Sequence, residues 1–170
     1  AFLLVNGATG GILSAVRAMT DGGDKVIVAR NSHKSVYNAL ELCGLTPKYI
    51  VPKVDKEFGI NCSITPSQAE KALRENPDAK LLIITSPTYE GAVSDIKEIS
   101  RIAHLHNVSV LVDEAHGAHF PFSDSFPVEA IQCGADVAVA SLHKTLPSLT
   151  QTALLLTSNE ELINPLAENL

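Results

Sequence analysis

Positive charge, cysteine and long apolar runs are all scarce in this sequence, and each shortage removes a class of function. Lysine and arginine number 13 against 19 aspartates and glutamates, for a net charge of -6. A nucleic-acid or anionic-membrane surface calls for clustered basic side chains, so the expected ligand is a small molecule. The three cysteines, Cys43, Cys62 and Cys133, are far apart and form no CxxC pair. That spacing argues against a disulfide framework and for a reducing compartment, with the thiols expected to be buried as small hydrophobes. No apolar stretch approaches the roughly 20 residues of a membrane span. The first residues lack the charged leader, greasy core and cleavage site of a secretion signal. A cytoplasmic protein is expected.

What is present has the balance of a folded domain: 45% hydrophobic and 19% charged residues in a chain of 170, enough for one continuous core. The chain has no initiator methionine, opens on Phe2-Leu3-Leu4-Val5 and stops at Asn164-Pro165-Leu166 without an obvious tail. Residues 1–170 are therefore expected to be one domain excised from a longer protein.

Seven short β-branched or leucine-rich runs read as strands: 2–5, 25–29, 48–51, 80–85, 109–112, 136–140 and 152–157. Segments with helical spacing lie between most of them, such as Ile12-Ala15-Val16-Met19 and Ile96-Ile99-Ile102-Ala103. Several runs are apolar on both faces, as strands covered by helices on two sides must be. This predicts an α/β fold: a three-layer α/β/α sandwich with a seven-stranded, mostly parallel sheet. Thr65-Pro66-Ser67-Gln68 predicts a capped helix start. In such sheets ligands gather at the carboxyl ends of the strands, so chemistry is sought just after each run.

The first such place is Asn6-Gly7-Ala8-Thr9-Gly10-Gly11, where glycines allow close backbone approach and helix N–H groups attract phosphate. The Gly7-Ala8-Thr9-Gly10-Gly11 turn also resembles that of short-chain dehydrogenases, and Arg30 follows the second strand where a 2′-phosphate would sit. An NAD(P)-dependent reductase is therefore the rival reading. It lacks its third glycine, which is Leu13, and its Tyr-x-x-x-Lys pair occurs only as Tyr49 and Lys53, with Pro52 between them. That proline prevents the pair from sharing a helix face.

Two further motifs follow strands: Asp113-Glu114-Ala115-His116-Gly117-Ala118-His119 and Ser141-Leu142-His143-Lys144-Thr145-Leu146. Together with the first turn and Asn31-Ser32-His33-Lys34-Ser35, this ordered set resembles the Orn/Lys/Arg decarboxylase family, pyridoxal-phosphate enzymes of the aspartate-aminotransferase-like fold. The resemblance implies a PLP-binding large domain, decarboxylation of lysine, ornithine or arginine, and a homodimer or higher homo-oligomer. It leaves open a PLP-fold protein without catalysis.

The chemistry wants these residue types. A lysine amine condenses with an aldehyde to give a Schiff base, and Lys144 fits that role. An acid can keep the cofactor's ring nitrogen protonated and so make the ring an electron sink. Asp113 is the candidate: at about 4 Å and an effective dielectric of about 20, a carboxylate favours the cation by roughly 4 kcal/mol before desolvation is subtracted. Asp113 capping the next turn is the bland alternative. The resemblance implies that His33 stacks on the cofactor ring, against the alternative of a helix-cap histidine. It also implies that Thr9, Gly10, Ser141 and His143 hold the phosphate, while Ala115 and His116 line the ring.

There are departures from that pattern. Ala8 stands where many members have a hydroxyl, so phosphate is expected to rely more on backbone N–H groups, and His116 replaces a tryptophan of some relatives. His116 and His119 with Asp113 suggest a metal site only weakly, because a glycine-containing loop gives an i, i+3 pair no fixed common face. His104 and His106 are explained by a helix end and solvent. Tyr89 borders the pocket or packs on the domain, and Glu114 points away from Asp113 if the strand continues.

Overall fold

A computed structural model describes all residues 1–170. The chain runs β1 (Phe2–Leu4), α1 (Gly7–Met19), β2 (Lys25–Ala29), α2 (Lys34–Leu42), β3 (Thr46–Ile50), α3 (Pro66–Glu75), β4 (Leu81–Thr85), α4 (Ile96–Leu105), β5 (Ser109–Asp113), β6 (Val137–Ser141), α5 (Leu142–Thr145), β7 (Ala153–Thr157) and α6 (Ile163–Glu168). The sheet order is β1-β7-β6-β5-β4-β2-β3. Only β7 runs against the rest, antiparallel to both β6 and β1.

Strand alternation divides the core in two. On β4, Leu82 and Ile84 face a cluster built with α3 and α4, while Leu81 and Ile83 face a second cluster built with α1, α2 and α6. Both β4 and β6 are buried along their whole length, so polar residues would be costly on either face. Each large aliphatic side chain withdrawn from water contributes about 1.5–3 kcal/mol. The result is the three-layer α/β/α sandwich read from the sequence.

Local signals act as expected at the helix starts. Thr65 and Gln68 form a reciprocal capping box with Pro66 in the first turn of α3, and Asp95 accepts the Glu98 N–H at the start of α4. α1 approaches the sheet closely at Gly11, where an added Cβ would lie 2.8 Å from Leu4 Cδ1 and 2.9 Å from Val139 Cγ1. Only glycine permits that approach.

Several details differ from the reading of the sequence. β3 begins at Thr46 and contains Pro47, which an edge strand tolerates because no neighbour needs its missing donor. The cysteines are half-buried rather than core residues, and none is in a disulfide. Cys43 caps α2 and Cys133 lies in the turn before β6, so neither side chain comes from a strand or helix interior. His104 has a specific partner rather than only solvent: its Nε2 lies 2.9 Å from Asp136 Oδ2, which also accepts the Val110 N–H. No helix is long and apolar enough to cross a membrane.

Candidate active site

An open cleft of about 600 Å³ lies at the carboxyl ends of the parallel strands, within the usual range for a cofactor pocket. The β1–α1 turn contributes Ala8 and Thr9. Gly10 does not line the cleft but lies one residue deeper, against the Asn6 side chain. Asn6 makes no side-chain cap, and Gly7 N–H donates to Gln151 O at 2.8 Å. The following first-turn N–H groups have no intrahelical acceptor, beside a cleft that Ala8 and Thr9 line.

His33 answers to both of its readings. It is the N-cap of α2, its Nδ1 accepting the Ser35 N–H at 3.2 Å, and its ring lines the cleft. Asp113 ends β5 and is 3% exposed. Its Oδ1 accepts the Ala115 N–H at 3.2 Å, so it also caps the next turn. Burial pushes its carboxyl above the ordinary value, opposed by the Ala115 amide and by the charges of Lys144 and His33.

Lys144 Nζ lies 3.2 Å from His116 Nε2. The His116 and Tyr89 rings meet edge to face, their centroids 5.6 Å apart at 88°. Burial holds the His116 pKa below its ordinary value, and the positive charges of Lys144 and His33 push it the same way, against Glu90. That shift favours the neutral imidazole, whose Nε2 faces the Lys144 nitrogen. Ser141 is fully buried, with Oγ 3.2 Å from His143 Nδ1. Ala115 completes the wall, and Tyr89 lines it too. His119 does not join His116: its ring packs edge-on against Phe120 and Phe126 at 5.0 and 4.7 Å, and no three His, Cys, Asp or Glu side chains converge.

Asn31, Ser35, Thr85 and Gln151 also line the cleft and were missed in the sequence. Asn31, Ser35 and Thr85 lie in or beside the motifs already read and carry no separate chemical signal. Gln151 was hidden by direction. It precedes its strand, but β7 is antiparallel, so the start of β7 lies where the parallel strands end.

This donor set fits pyridoxal phosphate. One cleft holds a primary amine, a buried carboxyl with a single side-chain hydrogen bond, a flat imidazole and an uncapped helix start flanked by hydroxyls. Asn31 Oδ1 is buried in its wall without a partner. The uncapped strand-to-helix turn does not suit the rival dinucleotide reading, because it follows edge strand β1 rather than a central strand at the sheet's switch point.

Comparisons with known proteins agree. The chain is 47% identical over 154 residues to an arginine decarboxylase of Bacillus subtilis (strain 168), covering 91% of this chain and 31% of that protein. It thus spans about a third of the length of the curated relatives it matches. In fold it resembles the N-succinyldiaminopimelate aminotransferase of Mycobacterium tuberculosis, with a TM-score of 0.78 at 20% identity over 98% of this chain and 44% of that one. It likewise resembles the aspartate aminotransferase of Thermus thermophilus, with a TM-score of 0.76 at 17% identity over 98% and 43%. The model of the Orn/Lys/Arg decarboxylase major domain matches residues 1–168, and the chain belongs to that family.

Proposed function

We propose that residues 1–170 are the cofactor-binding large domain of a longer polypeptide that decarboxylates a basic amino acid, using pyridoxal phosphate carried on Lys144. The observation that carries this reading is the meeting of Lys144, His116 and the buried Asp113 in one cleft. Relatives named arginine decarboxylase at 43–47% identity favour arginine over lysine and ornithine.

When bound, pyridoxal phosphate supplies a ring that accepts the electron pair released as carbon dioxide leaves. The chain's own residues bind and orient. Asp113 holds a proton on the ring nitrogen, and the low dielectric around it strengthens that pairing. His33 offers a flat face to the ring. Thr9, the first-turn N–H groups of α1, Ser141 and His143 hold the phosphate. Ala115 and His116 would line the ring, and His116 would orient the Lys144 amine through its Nε2.

A homodimer or higher homo-oligomer is the assembly we infer, with the cytoplasm as its compartment. Tyr89, 84% exposed while lining the cleft, and Leu149, exposed two residues before Gln151, are apolar surface beside the site. The three unpaired thiols suit a reducing setting. The deciding experiment incubates full-length protein with lysine, ornithine and arginine in turn and measures carbon dioxide and amine. Release from arginine is expected; release from none of the three would overturn the reading.

A further inference from the structure

Glu114 follows Asp113 in sequence yet is absent from the cleft wall. It is 3% exposed and at the centre of a small hydrogen-bonded knot. Its N–H donates to Val139 O at 2.9 Å, and its carbonyl accepts the Gly117 N–H at 2.8 Å. Its side chain reaches across to Ala130, whose N–H donates to Oε1 at 2.9 Å. The two ends of the 115–130 loop are thereby tied to one residue. Compact loops with close ends commonly carry function while packing on their own side chains. Here that packing is His119 between Phe120 and Phe126.

We propose that Glu114 is a positioning residue, a clasp that closes the 115–130 loop and thereby holds Ala115 and His116 against the cofactor cleft. This rests on the cofactor reading of that cleft. Gly117 supports the geometry independently. A Cβ there would lie 2.6 Å from Glu114 Cγ, 2.9 Å from Pro87 Cδ and 3.2 Å from Phe120 Cε2. The glutamate stem, the loop and the segment after β4 thus close on a space that only glycine leaves free. His116 lies one residue from that contact, so displacing Glu114 moves the imidazole that meets Lys144.

The carboxyl is suited to a clasp that carries no charge. Burial pushes its pKa from 4.5 to about 8, the Ala130 amide opposes this, and Glu129 adds to it. Cys133 packs nearby with a thiol that burial, then Glu114, pushes up. The closed loop therefore holds a proton that the opened loop releases. Clasp stability is full below about 4.5 and is lost as pH rises through about 8.

The test is amide hydrogen exchange across 115–130 in the full-length protein, with and without pyridoxal phosphate, alongside titration of the cofactor. Glu114→Ala leaves the Ala130 N–H without its acceptor, and exchange at Ala130 and Gly117 should accelerate by about tenfold or more, with a parallel loss of cofactor affinity. Glu114→Gln keeps the acceptor and the shape and should stay within about threefold of wild type. Unchanged exchange in Glu114→Ala, or equal acceleration in Glu114→Gln, would overturn the clasp. Should Glu114→Ala fail to accumulate, the wild type decides. Its protection across the loop should fall between pH 5 and 8 while that of Glu114→Gln does not, and a pH-independent wild type would sink the idea. Because exchange is read without turnover, a wild type that binds no cofactor would defeat the cofactor reading separately.

Discussion

Lys144 Nζ and His116 Nε2 lie 3.2 Å apart although 28 residues separate them in the chain. The contact joins the ends of neighbouring strands, β5 and β6, and each partner depends on its own strand for its position. It gives the lysine a fixed direction in the cleft, since a flexible four-carbon stem otherwise samples many rotamers.

Lys144→Ala should abolish covalent attachment of the cofactor, because no other lysine lines the cleft. Borohydride reduction of the loaded full-length protein followed by peptide mapping checks this. Label recovered on Lys34 or Lys53 would remove Lys144 from its role.

Asp113→Asn should leave the thermal midpoint of the full-length protein within a few degrees of wild type while cutting turnover. A carboxylate about 4 Å from a ring cation contributes roughly 4 kcal/mol at an effective dielectric of about 20. That sets the loss at up to about a thousandfold. Near-normal kcat would show that the ring nitrogen needs no acid here.

Gly11→Val should destabilise the fold by about 1–3 kcal/mol, the usual cost of forcing extra carbons into a packed contact. The cause is the close approach of α1 to Leu4 and Val139. Because the same helix start borders the cleft, phosphate affinity should fall as well. Urea unfolding with an unchanged slope and a lower midpoint is the expected record; an unmoved midpoint would mean that the helix has room to shift.

The isolated 170-residue chain should bind pyridoxal phosphate far more weakly than the full-length protein. By itself this cleft is open to water, where hydrogen bonds contribute least. Parallel titrations compare the two. Equal, tight binding would make these residues a self-sufficient site.

The sequence by itself determined the layers and which residues are candidates for the chemistry. Apolar runs such as Leu81-Leu82-Ile83-Ile84 require cover on both faces; the Ile96-Ile99-Ile102-Ala103 stripe covers one and the Ile12-Ala15-Val16 stripe the other. These are short-range periodicities, legible without knowing any partner. Asp113, His33 and Lys144 were legible as candidates because each lies at or just after a strand end, in motifs that resemble the Orn/Lys/Arg decarboxylase family, and the structure brings all three to one cleft. Tertiary structure alone decided what depends on direction and distance. The reversal of β7 brings Gln151 into the cleft. Gly10 lies behind Asn6 rather than in the wall, and His119 turns into aromatic packing away from His116. Glu114 ties its loop through a partner 16 residues on. Sequence periodicity fixes which face a residue occupies, but contacts between distant segments follow from how strands are ordered and oriented, which no local pattern encodes.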